Sequence, residues 1–118
     1  MRQRWRDGTG VLLVDGREVA PVEIAASGPA RRHGLLDRDG LAGAILLSPA
    51  ASVHTIGMRF AIDVAFVDRH LRVRRVLTMR PGRLGLPRLR ARHVLEAEAG
   101  RYADWGLVRG SRLEVRTG

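Results

Sequence analysis

The segment Phe60-Ala61-Ile62-Asp63-Val64-Ala65-Phe66-Val67 constrains the fold more than any other part of the chain. In an extended chain successive side chains point to opposite faces. Phe60, Ile62, Val64 and Phe66 then share one face, and Ala61, Asp63, Ala65 and Val67 share the other. Both faces are apolar apart from one carboxylate, so the segment reads as a central strand covered on both sides.

The flanking sequence repeats the theme of short apolar runs separated by turn residues. Gly10 to Asp15 and Glu18 to Ala25 flank Asp15-Gly16, a strong turn dipeptide, and read as a hairpin. Ser27-Gly28-Pro29 opens a helical turn over Ala30 to Leu36, with Ser27 as its cap and Pro29 in its first turn. Leu41 to Leu47 reads as a buried strand ended by Ser48-Pro49. Asp68-Arg69-His70 turns the chain into Leu71 to Met79. There Val76 is out of step with Leu71 and Val73, and a β-bulge near Arg74-Arg75 would restore the alternation. A Pro-, Gly- and Arg-rich loop covers Arg80 to Arg90. His93 to Ala97 is a strand, Arg101 to Leu107 a helical turn stopped at Gly106, and Leu113 to Val115 a last strand. The fold class expected is mainly β: a compact antiparallel sandwich or barrel with one or two short helical turns. Phe60, Ile62, Val64, Phe66, Leu95 and Val115 are expected in one core.

Composition narrows the function classes. At 118 residues the chain is expected to be a single domain over 1–118, and its 45% hydrophobic content is enough for one core. No cysteine is present, which excludes disulfides, thiolate metal sites and cysteine catalysis. Apolar runs such as Val11 to Val14 and Ala44 to Leu47 are too short to cross a bilayer, and no long apolar stretch follows the basic start Met1 to Arg6. A cytoplasmic location without membrane insertion is the resulting expectation. The net charge of +9 invites a nucleic-acid reading, since all 21 basic residues are Arg. A GC-rich genome accounts for Arg without Lys more simply. The arginines are spread along the chain, and aromatics are only 4%. Nucleic acid is therefore a disfavoured partner.

Chemistry concentrates in Val53 to Asp63. Asp63 interrupts an apolar strand and Glu96 interrupts another, and a buried charge needs a partner or a shifted pKa. His54 and Arg59 are the nearest candidates, so His54, Arg59, Asp63 and Glu96 form the expected ligand-binding site. The competing reading is structural, with Asp63 and Arg59 tying a loop to a strand. A metal held by His54, Asp63 and Glu96 has suitable ligand types but no short-spaced pair, so neither metal nor cofactor is expected. No Gly-x-Ser-x-Gly is present, and Gly82-Arg83-Leu84-Gly85 lacks the context of a phosphate loop. Trp5, Trp105, Met58 and Met79 read as packing residues.

Three blocks resemble a known family, the bacterial and archaeal domain of unknown function DUF192. Arg31, Gly34-Leu35-Leu36 and Arg38 resemble its Arg-x-x-Gly-Leu-Met-x-Arg segment. His54 to Asp68 resembles its central signature in the His-Thr-x-Gly-Met-Arg-Phe form. Leu95-Glu96 with Gly100 resembles its Leu-Glu-x-x-x-Gly pattern. Leu36 stands where Met is usual, Gly57 and Phe60 replace Trp and Asn-Thr, and His70 sits where Gly is common. At that turn a left-handed backbone is expected, which His tolerates better than a β-branched residue. The resemblance implies a jelly-roll-like antiparallel fold and no established activity. The function expected is thus a non-catalytic binding or accessory module for a small anionic or sugar-like ligand, as a monomer or weak dimer. One alternative is a hydrolase using Asp63 and Glu96 as acid and base. Another is a nucleic-acid binder acting through its arginines.

Overall fold

A computed structural model describes residues 5–85 and 87–117; the basic start at Met1 to Arg4 lies outside them. The strands are β1 (Gly8–Val14), β2 (Arg17–Ala25), β3 (Ala44–Leu47), β4 (Ile62–Val67), β5 (Val73–Met79), β6 (His93–Glu98) and β7 (Leu113–Arg116). The two helices are short, α1 (Gly28–His33) and α2 (Arg101–Trp105). All seven strands form one sheet in the order β5-β4-β6-β3-β2-β1-β7. Every pairing is antiparallel except β2 with β3, which is parallel. The mainly β fold with two helical turns is therefore as the sequence predicts.

Local signals act where expected. Asp15 (φ 50°) and Gly16 (φ 85°) are both left-handed, as a two-residue primed turn between β1 and β2 requires. Ser27 caps α1 by accepting from the Ala30 N–H at 3.2 Å, and a proline stands in the first turn. Gly106 ends α2 in a left-handed conformation. Phe66 pairs with Arg75 and Val67 with Val73, so Arg74 is the extra residue of a bulge. In the turn before β5 the left-handed residue is Leu71 (φ 62°) rather than His70. It is fixed there because Asp68 accepts from the Leu71 and His70 N–H groups and from that of Arg72.

The sheet curls into a half-barrel. One apolar cluster takes side chains from all seven strands, including Leu12, Val22, Leu46, Val67, Val73, Leu95 and Leu113, together with Tyr102 and Trp105 of α2. Only the inner face of a curled sheet can bring all strands together in this way. The two edge strands approach each other at one end. There Arg72 bridges Arg112, the Val73 N–H donates to the Ser111 carbonyl at 2.9 Å, and the Leu113 N–H donates to the Leu71 carbonyl at 2.8 Å.

A second cluster lies on the outer face of β3, β4 and β6. Ile45, Ile62, Val64, Phe66 and Val94 pack there under Leu35, Leu41, Val53 and Met58. The expected single core is thus two cores. Phe66 belongs to the outer one, whereas Leu95 belongs to the inner one with Val115 packed against it. The reason is the two-sided character of β4, all six of whose residues are buried. Phe60 precedes the strand and is half-buried at the edge of the outer cluster.

Candidate functional site

Strand parity divides the four expected site residues. Asp63 shares the inner face with Ala65 and Val67, whereas Glu96 shares the outer face with Val94. The two carboxylates therefore point to opposite sides of the sheet although their strands are paired. They cannot act together as acid and base, nor ligate one metal with His54. That removes the hydrolase built on Asp63 and Glu96.

Asp63 is structural. Its Oδ2 accepts from the Gly100 N–H at 2.9 Å and the Tyr102 N–H at 3.1 Å, and its Oδ1 accepts from Thr78 Oγ1 at 2.8 Å. It holds the start of α2 against the sheet, a role helped by the positive end of the helix backbone. Arg59 does not reach it. Its guanidinium meets Asp39 at 3.2 Å, with both side chains largely in solvent, and the Asp37 carbonyl at 3.3 Å.

His54 and Glu96 do come together, around a cavity of about 90 Å³ whose lining includes Arg31, Leu35, Val53 and Met58. Glu96 sits between Ile45 of β3 and Val64 of β4 and is only 5% exposed. Its carboxyl makes no hydrogen bond or ion pair with the described residues. Burial alone pushes its pKa up to about 7, so the acid is partly protonated at neutral pH.

Above this chamber lies a wider groove of about 620 Å³, whose lining includes Gly28, Arg31, Arg32, Pro49, Ser52 and His54. The rim is cationic. Arg31 is held by the carbonyls of Ala26 (3.3 Å) and Pro49 (3.1 Å), and no carboxylate among the described residues pairs with Arg31 or Arg32. The loop carrying His54 is fixed by its neighbour. Buried Thr55 donates through Oγ1 to the Arg80 carbonyl and accepts from the Arg83 N–H at 2.8 Å. Gly57 is left-handed (φ 84°), and a Cβ there would stand 3.4 Å from Leu36. Met58 then drops into the outer core.

With this geometry in view, the family is decided by comparison. The DUF192 model, described as an uncharacterized ACR, matches residues 11–115. The chain belongs to the DUF192 family. Among curated DUF192 relatives, a UPF0127 protein of Pyrococcus horikoshii is 34% identical over 84 residues, covering 67% of this chain and 73% of the relative. Another, from Pyrococcus abyssi, is 31% identical over 99 residues, covering 77% and 85%. Two solved structures share the DUF192 chain's fold. A Novosphingobium aromaticivorans protein of unknown function superposes with TM-score 0.75 at 21% identity, over 88% of this chain and 83% of that one. A Sinorhizobium meliloti protein, described as a candidate transcription regulator, superposes with TM-score 0.71 at 19% identity, over 96% and 98%.

In DUF192 terms, the first two blocks and Glu96 of the third meet at one place, since Arg31, His54 and Glu96 all line the chamber. Arg31 was absent from the four expected site residues, although the Arg-x-x-Gly-Leu block pointed to it. A second polar pair escaped sequence reasoning altogether. His93 Nδ1 lies 2.8 Å from Ser48 Oγ, both buried, with Trp5 edge-on to the imidazole at 5.7 Å. Burial, helped by Arg92, lowers the His93 pKa to about 4.

Proposed function

We propose that this DUF192 chain is a single-domain, non-catalytic binding module of the cytoplasm that holds a small hydroxylated acid, such as a sugar acid, in the Glu96 chamber. The observation that carries the reading is the Glu96 carboxyl: buried, without a partner among the described residues, and opening onto a cavity. A carboxyl that faces only a narrow cavity is poorly hydrated, and an apolar residue between Ile45 and Val64 would avoid the cost of ionising it there. A ligand hydroxyl would satisfy it. The chamber accommodates only a few heavy atoms, because a water's share of liquid volume is about 30 Å³. The charged end of the ligand would lie in the groove, facing Arg31, Arg32 and His54, where the planar guanidinium suits a carboxylate. His54 would hydrogen-bond the ligand at the mouth. Arg59 and Asp63 play no part in contact. The jelly-roll likeness remains an analogy of form and adds no ligand.

A thermal-shift screen of hydroxy acids, sugar acids, plain carboxylates and neutral sugars tests this. A ligand at 100 times its Kd stabilises the native state by about 2.7 kcal/mol. A hydroxy acid should raise the melting temperature of the native chain, and Glu96→Gln and Arg31→Gln should each abolish the rise. Stabilisation that survives both substitutions, or none from any member, would refute the reading.

A further inference from the structure

A second concave site lies between the β4–β5 turn and the segment leading into β6. It encloses about 500 Å³, and Arg69, His70, Arg74, Arg90 and Arg92 line it beside Asp68 and two apolar residues. It shares no lining residue with the Glu96 chamber. Four guanidiniums and an imidazole therefore face one carboxylate. That carboxylate is already engaged: Asp68 Oδ1 accepts from the N–H groups of His70 (2.9 Å) and Arg72 (3.1 Å), and Oδ2 is 3.8 Å from the Arg74 guanidinium. The groove is left with a large uncompensated positive charge.

The backbone sets this charge in place. The bulge that makes Arg74 the extra residue of β5 breaks the alternation of the strand there. On the opposite wall the Arg92 N–H donates to the Val67 carbonyl at 2.8 Å, and just before that wall, outside the lining, the Arg88 guanidinium lies over the Phe66 ring at 5.5 Å. Both walls are thus anchored to β4 before any ligand arrives. Guanidiniums held in a fixed fork suit phosphate oxygens, and several around one concavity suit several phosphates at once. The volume falls in the range of roughly 300–1,000 Å³ usual for small-molecule sites. No Phe, Tyr or Trp ring lines it, which disfavours single-stranded nucleic acid. We propose that this groove binds the phosphate groups of a small oligophosphate, such as inorganic triphosphate or the tail of a nucleoside triphosphate.

The test titrates inorganic triphosphate into the isotope-labelled native chain at about 0.15 M ionic strength, where loose surface attraction is screened. Amide shifts should saturate and centre on residues 68–74 and 89–92. The exposed pair Arg74→Gln and Arg90→Gln should weaken binding at least about tenfold, as expected for lost charged hydrogen bonds. The pair Arg6→Gln and Arg109→Gln removes the same charge from exposed positions outside the groove and should change affinity by less than about twofold. ATP should shift the same amides through its phosphates, and adenosine should not. Shifts scattered over the arginine surface, equal weakening by both pairs, or no saturation by about 1 mM would overturn the proposal. So would a short DNA duplex that occupies the groove more tightly than triphosphate. Because the shift map is read on the native chain, a poorly folding variant would not mask the answer.

Discussion

Replacing Glu96 by Gln should stabilise the protein above neutral pH and leave it unchanged in acid. The side chain is 5% exposed, and its pKa rises from 4.5 to about 7 through burial alone. Below pH 4.5 the acid is protonated in both the folded and the unfolded chain and contributes nothing to the difference. Between 4.5 and about 7 the unfolded chain has released the proton and the folded chain retains it, so folding stability falls as pH rises. Each pKa unit corresponds to about 1.36 kcal/mol, giving a loss on the order of 3 kcal/mol by pH 8. Glutamine has the shape of the protonated acid and cannot ionise, so the variant escapes this loss. The measurement is urea unfolding of both proteins from pH 4 to 8.5. The gap in unfolding free energy should be near zero at pH 4.5 and open to about 3 kcal/mol by pH 8. His93 acts in the opposite sense: its lowered pKa makes stability fall as pH drops from 6.5 towards 4. The wild-type profile alone can therefore look flat, whereas the difference between the two proteins cancels His93. Parallel profiles would refute the reasoning, because they would mean that the Glu96 carboxyl is solvated or paired in solution.

Asp63→Ala should destabilise the fold by about 3 kcal/mol in urea unfolding, since it strands the N–H groups of Gly100 and Tyr102 and the Thr78 hydroxyl. Arg59→Met should cost less than about 1 kcal/mol, because its ion pair with Asp39 is exposed. A larger loss for Arg59 than for Asp63 would reverse their assigned roles. Thr55→Val should cost about 2 kcal/mol by leaving the Arg80 carbonyl and Arg83 N–H unmet, which a thermal melt will show. Gly43→Ala places a Cβ against the Pro21 carbonyl beside the parallel β2–β3 pair, so its soluble yield and melting temperature should both drop sharply. His93→Gln should abolish the His93 share of the acid loss, so that the variant gains stability relative to the wild type as pH falls from 6.5 towards 4.

What could be read in advance was local. The bulge at Arg74 follows from one misplaced valine, the Ser27 cap from the tripeptide Ser27-Gly28-Pro29, and the two-sided burial of β4 from eight consecutive residues. Register and partners were not readable. Asp63 is satisfied by backbone groups of residues 100 and 102, and no nearby pattern points to a carboxylate holding a distant helix. Proximity in sequence favours Arg59 as its partner, yet Arg59 lies three positions before the strand begins to dictate side-chain direction, and it turns outward to Asp39. Glu96 is legible as an anomaly within the apolar run Val94 to Ala97. Its separation from Asp63 depends on the pairing of Val64 with Glu96, which parity within either strand alone does not reveal. The parallel joining of β2 to β3 also had no local signature, because it is set by the crossover through α1 rather than by either strand.

The seam between residues 71–73 and 110–113 bears on how the chain reaches this state. β1 pairs with β7 roughly a hundred positions away, and β7 in turn meets the start of β5. These links span most of the sequence, so few of the contacts that close the curl can form while the chain is short. Such topology slows folding, because loop closure must be achieved before the contacts that reward it exist. It also ties the two ends into one cooperative unit. Removing β7 would unpair β1 and open the inner cluster along its length, and clipping the β1–β2 hairpin would do the same from the other side. A nascent chain halted before Leu113 would expose Leu12, Val14 and Leu107 to its surroundings. Pairing of β7 with β1 is thus the step at which a sticky intermediate closes its inner cluster.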